Sequence, residues 1–145
     1  MGADWTCVIP GVPIGKGRPR ASARHGRVFM RTPEKTAKWE AFAAETMRIR
    51  WMCPMLESPV SVAIVAVFPR PQRLVCKHKR ACGCTGERVP HVARPDADNV
   101  AKAVCDALEK AGVLKNDSQV WSVTAVKMIA GAKEQPHVQV TVRES

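Results

Sequence analysis

The sequence predicts an α+β protein, with two main helices packed on a small mixed β-sheet in a single domain over residues 1–145. The length is that of one ordinary domain, which can bury a core of normal size. Two segments carry apolar residues at helical spacing, and segments rich in β-branched residues precede and follow each of them. The predicted order is therefore strand, helix, strand, helix and a closing hairpin.

The N-terminal part supplies a strand at 5–9, a basic loop at 13–20 and the first helix. The loop holds too many glycines and prolines for a helix or a central strand. After a short candidate strand at 27–30, Thr32 as N-cap and Pro33 at the first helical position open a helix that runs to about residue 52. Its core-facing residues recur at helical intervals: Trp39, Phe42, Ala43, Met47 and either Ile49 or Arg50.

The middle of the chain supplies a strand, a long loop and the second helix. Residues 60–68 are β-branched and largely apolar, as in a strand buried on both faces. A basic, cysteine-containing loop without periodicity follows at about 70–94. Asp98 is then predicted to cap a helix over 99–111 that ends at Gly112. This helix has an apolar stripe of Val100, Val104, Ala107, Leu108 and Ala111, and a polar side of Asn99, Lys102, Asp106 and Glu109.

Two strands complete the predicted sheet, at 118–129 and 138–142. Gly131 falls in the turn between them. Because valines alternate with polar residues in the second strand, one of its faces should meet solvent. We expect the two strands to form a hairpin.

The chain is strongly basic, with a formal net charge of +10, which points to a polyanionic partner. Two basic runs, at 16–31 and 70–94, accompany the acidic cluster of Asp96 and Asp98, and this arrangement favours a phosphate backbone over a merely solvated surface. The candidate contacts to a DNA phosphate backbone are Lys16, Arg18, Arg20, Arg24, Arg73, Lys77, Lys79 and Arg80.

The sequence has no apolar run of membrane-spanning length and no signal-peptide pattern, so we expect a soluble, cytoplasmic protein.

Six cysteines without a secretory signal indicate reduced thiols rather than a disulfide framework. Cys105 lies on the second helix and is expected in the core. Cys76, Cys82 and Cys84 could form a zinc site with His91, although their spacing differs from the paired Cys-x-x-Cys of common structural zinc sites. The zinc site stands as the alternative to a mobile basic loop.

Three aspartates carry the strongest chemical signal. Asp96 and Asp98 are two residues apart, which in an extended segment places both carboxylates on one side, and Asp117 follows the helix that they precede. In a basic protein such a cluster is most easily explained by Mg²⁺, with Mn²⁺ as a substitute, because hard cations take carboxylate oxygens and keep water or phosphate as further ligands. An acidic pocket within a basic surround is what a metal-dependent nuclease needs.

Each of these residues also has an ordinary explanation. Asp98 alone is a helix cap, and Asp96 and Asp117 alone are turn residues. Lys102 alone is an i,i+4 partner of Asp98, worth about 0.2–0.5 kcal/mol. The combination favours a metal site, with Lys102 within reach of a carboxylate or a phosphate. His91 is the remaining candidate for a general base.

Three segments closely resemble the RusA family of Holliday junction resolvases, which bacteriophages and prophages often carry: RPDADNVAK at 94–102, DAL at 106–108 and GVLKNDSQV at 112–120. The sequence GKGRPR at 15–20 and Thr32-Pro33 are similar to the family as well. The resemblance therefore spans nearly the whole chain.

The resemblance implies a RusA-like fold and a homodimeric, Mg²⁺-dependent endonuclease. Such an enzyme resolves four-way DNA junctions by paired symmetric nicks, in recombination and repair. The metal ligands implied are Asp96, Asp98 and Asp117, and the functional lysine is Lys102. The stretch at 76–84 departs from the family pattern.

Two other functions stay open at this point. One is a module that binds branched DNA without cleaving it, but such a module would not need carboxylates, which repel phosphate unless a metal bridges them. The other is a metal nuclease that acts on flaps, single strands or duplex. The site motifs do not exclude it, because selectivity for DNA structure depends on the geometry of the dimer.

Overall fold

The computed structural model describes residues 4–75 and 86–145. Short 3₁₀ turns in this part of the chain occupy Gln72–Leu74 and Asp117–Gln119. The helices and strands, in chain order, are β1 (Trp5–Pro10), β2 (Arg20–Arg24), β3 (Arg27–Arg31), α1 (Glu34–Arg50), β4 (Val60–Phe68), β5 (Val89–Pro90), α2 (Ala97–Lys110), β6 (Val120–Ile129) and β7 (His137–Glu144). The predicted α+β class is confirmed.

The main sheet has five strands in the order β1-β7-β4-β6-β5. The β4–β6 pair is parallel and the other pairs are antiparallel, so α2 lies in the long connection that parallel neighbours require. The predicted hairpin of the last two strands is wrong, because β4 lies between β6 and β7. β4 is apolar and largely buried on both faces, which suits a central strand with a neighbour on each side.

The hydrophobic core lies between the sheet and the two helices. Met47 of α1, Leu108 of α2 and Ile64 of β4 are among its largest fully buried side chains. α1 packs on α2 and β1, and α2 packs on β6 as well. The predicted apolar stripe of α2 is confirmed, since all five of its residues are buried. In the described part of the chain, no helix is long and apolar enough to cross a membrane.

α1 differs from the prediction at both ends. It begins at Glu34 and ends at Arg50, and the N-cap position is occupied by Pro33, with no side chain capping the helix. Thr32 is therefore not the N-cap. Trp39, Ala43 and Met47 are buried as predicted, whereas Phe42, Ile49 and Arg50 are exposed.

α2 begins two residues earlier than predicted. Asp96 occupies the N-cap position with extended backbone, its side chain makes no capping hydrogen bond, and Asp98 lies inside the first helical turn. An acidic residue there is favoured by the positive end of the helix dipole. The predicted end is confirmed, since Gly112 has a φ of 76°.

β2 and β3 form a separate two-stranded sheet, of which the sequence predicted β3 alone. The turn between them contains His25, with a φ of 52°, and Gly26, with a φ of 74°. Two positive φ angles in a two-residue loop match the turn that suits the twist of a tight hairpin. All residues of β3 are exposed.

Candidate active site

Three of the four predicted site residues line one cavity of about 500 Å³ between α2 and β6. Asp98 and Lys102 come from the first turns of α2, and Asp117 comes from the 3₁₀ turn before β6. The Lys102 Nζ atom lies 3.9 Å from the Asp98 Oδ2 atom, and both side chains are mostly exposed. The opposite wall is apolar: Val120, Val123 and Ala125. We refer to this cavity as the acidic pocket.

Asp96 lies on a neighbouring cavity of about 690 Å³, together with Arg18 and Arg94. In an extended segment, which the sequence predicted here, Asp96 and Asp98 would lie on one side. The helix begins at Ala97, however, so Asp98 has helical backbone and the two side chains line different cavities.

The chemistry of the donors in the acidic pocket suits Mg²⁺. Two carboxylates, Asp98 and Asp117, line an open cavity, and Mg²⁺ is typically bound by one or two carboxylates while water and substrate phosphate fill its other positions. Among residues 4–75 and 86–145, no group of three histidine, cysteine, aspartate or glutamate side chains is close enough together to hold a metal. A cation held by these two carboxylates therefore depends on water or phosphate for its remaining ligands.

A third carboxylate, Asp106, also lines the acidic pocket, but it is engaged by a lysine. Lys16 Nζ pairs with Asp106 Oδ2 and lies 3.1 Å from Oε1 of Glu40. The Glu40 side chain is 1% exposed, and its other oxygen accepts a hydrogen bond of 2.5 Å from Lys110 Nζ. Burial lowers the pKa of Lys16, but its hydrogen bonds to Asp106 and Glu40 outweigh burial and raise it. Lys16 is thus a fixed positive charge that joins the basic loop to both helices.

The basic loop at residues 13–20 packs directly on the segment that carries Asp96 and Asp98. Lys16 N–H donates to Asn99 O at 2.9 Å. A Cβ atom on Gly15 would lie 2.5 Å from the Pro95 Cβ atom, which is closer than side chains can approach. From the other side, Lys127 of β6 donates to the carbonyl oxygens of Ala93 and Pro95, both at 2.7 Å. The start of α2 is therefore held from two directions.

Cys105 reports the electrostatics of the acidic pocket. Burial, together with the negative charges of Asp106 and Asp117, raises the pKa of the Cys105 thiol to about 11. The thiol is therefore protonated at neutral pH and is not an activated nucleophile. Its expected burial in the core is only partial, since it also lines the pocket.

His91 lies outside the acidic pocket and stacks on Phe68, with ring centroids 4.1 Å apart. Burial, followed by the positive charge of Lys127, lowers the pKa of His91, which favours the neutral form of its ring. Its Nδ1 atom is buried and has no hydrogen-bond partner among the described residues. The structure thus does not bring His91 to the predicted acids.

The predicted backbone contacts have different environments. Arg18, Arg24 and Arg73 are exposed, while Lys16 is engaged internally as described above. Arg20 opens β2. The others, Lys77, Lys79 and Arg80, lie outside the described residues, as do Cys76, Cys82 and Cys84 of the zinc alternative.

Sequence reasoning missed the buried Glu40 and the anchoring role of Lys127. Glu40 does leave a signal, because it falls four residues after Thr36 and three before Ala43, both buried, on the core face of α1. An acidic residue at such a position requires a buried partner. Nothing in the sequence identifies Lys16 as that partner, since the two are 24 residues apart.

A small α+β fold with carboxylates and a lysine on one pocket, next to a basic loop, suits the class of phosphodiester-cleaving nucleases. The family comparison agrees, because the model for "Endodeoxyribonuclease RusA" matches residues 10–143. The chain belongs to the RusA endodeoxyribonuclease family.

Two curated relatives are similar over most of their length. The "Uncharacterized protein YqaN" of Bacillus subtilis is 31% identical over 136 residues, which cover 94% of this chain and 93% of that protein. The "Crossover junction endodeoxyribonuclease RusA" of Aquifex aeolicus is 29% identical over 123 residues, which cover 85% of this chain and 79% of that protein.

Proposed function

We propose that the protein resolves Holliday junctions, as a Mg²⁺-dependent endonuclease that introduces paired symmetric nicks in two opposed strands. It acts as a homodimer in DNA recombination and repair, in the bacterial cytoplasm. The observation that carries this proposal is the convergence of Asp98, Lys102 and Asp117 on one pocket. The name of the Aquifex relative supports the choice of a crossover junction as substrate.

In this proposal the metal is held by Asp98 and Asp117, with Asp96 at the adjoining cavity as the third acid. Bound Mg²⁺, for which Mn²⁺ can substitute, would supply charge neutralisation at the scissile phosphate and a more acidic water. The carboxylates also orient the attacking water by accepting its hydrogen bonds. The aspartates thus lie where the basic surface of the protein would bind the phosphate backbone.

Lys102 supplies a positive charge beside these acids. Its side chain is 66% exposed, so the ammonium is free to move from Asp98 toward a phosphate oxygen. Negative charge grows on the phosphate oxygens as the water attacks, and a cation placed there lowers the barrier more than it strengthens binding.

The dimer follows from the substrate. A four-way junction presents two symmetry-related scissile phosphates, and a two-fold protein carries two identical sites that can address both. Exposed arginines in the basic loop and beyond, such as Arg18, Arg24 and Arg73, would hold the phosphate backbone around these sites.

The test is a synthetic four-way junction and a linear duplex of matched sequence, each incubated with Mg²⁺, Mn²⁺ or EDTA. We expect symmetric nicks in the junction but not in the linear duplex. These nicks should appear with Mg²⁺ or Mn²⁺ and should be absent with EDTA. Asp96→Asn, Asp98→Asn and Asp117→Asn should each abolish cleavage and keep junction binding, because each removes a carboxylate with little change of shape. Glu45→Gln on the exposed side of α1 is the matched control and should cleave normally.

Binding without cleavage by the wild-type protein in either metal would favour the non-cleaving DNA-binding module instead. Equal cleavage of the linear duplex would favour a nuclease of broader substrate range. Cleavage within a few fold of wild type in all three asparagine variants would exclude the proposed metal ligands.

A further inference from the structure

The cavity that holds Asp96 is one end of a longer basic groove. It adjoins a second cavity of about 490 Å³, with which it shares Gly15, Gly17 and Arg18. The second adjoins a third of about 820 Å³, with which it shares Pro33 and Lys35. The third cavity ends at the base of the β2–β3 hairpin. The groove therefore connects this hairpin with the predicted metal ligand Asp96.

The charged residues that line the groove are mainly cations. Arg94, Arg18, Lys35 and Arg31 follow one another along its three cavities. The acids on its walls are Asp96 at one end and Glu34 at the other, and Glu34 is neutralised by Lys38 at 2.8 Å. A row of positive charges along a groove complements a phosphate backbone.

The two faces of the β2–β3 hairpin differ in chemistry. Residues directly opposite in an antiparallel pair project to the same face. The pairs Arg24↔Arg27 and Ser22↔Phe29, together with Arg31, therefore share one face. The pairs Ala23↔Val28 and Ala21↔Met30 share the other, which is apolar. Phe29 is 49% exposed, so a large aromatic ring lies open to solvent among three arginines.

We propose that this hairpin is an arm that grips one branch of the junction, with Arg24, Arg27 and Arg31 on its phosphate backbone and Phe29 stacked on a base exposed at the branch point. The inference rests on the proposed function, because a base at a branch point leaves its stack more readily than one in a continuous duplex. The basic groove then guides the strand from the arm toward Asp96.

Arginine and phenylalanine side chains contribute to DNA binding in different ways. Arginines on the backbone give affinity that falls with salt, with a log–log slope of about 0.9 per duplex phosphate contact. An aromatic ring adds stacking, which does not depend on salt and requires a base free of its neighbours. Phe29 therefore contributes to selectivity for branched DNA, and the arginines contribute to affinity for any DNA.

The experiment measures the binding of a four-way junction and a linear duplex in EDTA, where no cleavage occurs, with 2-aminopurine at the branch point. Wild-type protein should raise the 2-aminopurine fluorescence, because the base leaves its stack. Phe29→Ala should weaken junction binding about tenfold, leave duplex binding unchanged and abolish the fluorescence rise. Phe29→Tyr should restore both. Arg27→Gln should weaken the binding of both the junction and the duplex, and it should flatten the salt dependence of both.

Val28→Ala is the matched control, since Val28 is 72% exposed on the opposite face of the same strand, and it should bind as wild type does. An unchanged salt slope in Phe29→Ala shows that the hairpin is still folded. Junction preference and fluorescence retained by Phe29→Ala would overturn this inference alone, and so would an equal loss in Val28→Ala. No junction preference in the wild-type protein would overturn the proposed function as well.

Discussion

Lys16 shows how a single residue in a basic run can differ from its neighbours. Its ammonium lies between the carboxylates of Glu40 and Asp106, whereas Arg18, two residues later, is exposed. Glu40 is buried, and a buried charge is tolerated where it is paired. Lys16 therefore stabilises the junction of the basic loop with both helices and neutralises one of the three acids in the acidic pocket.

Replacement of Lys16 should affect stability rather than the salt dependence of binding. Lys16→Met leaves Glu40 with Lys110 as its remaining partner, and we expect a loss of about 1–3 kcal/mol in the free energy of unfolding. Chemical denaturation measures it. Arg18→Met is the matched control and should unfold like wild type but flatten the salt slope by about 0.9. A flattened slope with unchanged stability in Lys16→Met would instead make Lys16 a phosphate contact.

Lys102 should act on the chemical step more than on affinity. Its exposed ammonium is one cation among many for binding, but it lies on the wall that Asp98 and Asp117 share. We expect Lys102→Ala to lower the single-turnover cleavage rate at saturating protein by about 10²-fold or more, the order seen when one transition-state donor is removed. Junction affinity should change less than threefold. An unchanged rate with weaker affinity would reduce Lys102 to a backbone contact.

At the level of elements, the start of α2 acquires its position from neighbours that are distant in sequence. The basic loop packs on Pro95 through Gly15, and β6 holds the carbonyl oxygens of Ala93 and Pro95 through Lys127. The aspartates follow this segment directly, so their separation depends on contacts from both sides.

Gly15→Ala tests this arrangement. The new methyl group would meet the Pro95 ring at 2.5 Å, so the loop or the segment before α2 must shift. Displacements of about 1 Å can lower the rate at a catalytic site about 10²-fold, so we expect a clear loss of cleavage rate. The accompanying loss in the free energy of unfolding should be the lesser effect. Gly11→Ala is a poor control, because Gly11 has a positive φ that a side chain would strain. Ala37→Gly on α1 is a fair control, because it should lower the free energy of unfolding mildly. Wild-type cleavage by Gly15→Ala would show that the site tolerates a shifted loop.

At the level of the whole molecule, the proposed dimer makes a prediction of its own. Mixtures of wild-type and Asp117→Asn subunits should contain dimers with one competent site, and these should nick one strand of a junction without resolving it. Gel analysis under native and denaturing conditions separates nicked from resolved junctions. Cleavage that falls in direct proportion to the wild-type fraction, with no accumulation of nicked junctions, would argue against paired sites in one dimer.

The spacing of apolar residues along the chain predicted individual strands and helix faces of this fold. The strand Val60–Phe68 and the apolar stripe of α2 follow from residue spacing, and both are observed. The sequence could not show that β7 pairs with β4, or that Lys16 pairs with Glu40, because those contacts join residues far apart in the chain. The site was predicted as a set of residues, but the separation of Asp96 from Asp98 depends on where α2 begins.

The place of β7 in the sheet has a consequence for synthesis. β7 is the last strand in the sequence, yet it lies between β1 and β4 and is the partner of both. While the ribosome extends the chain, β1 has no strand to pair with and one edge of β4 stays open until His137–Glu144 has emerged. A premature stop before this strand would therefore release a chain whose first strand is unpaired and whose central strand has one open edge, a target for proteases and aggregation rather than a shortened enzyme.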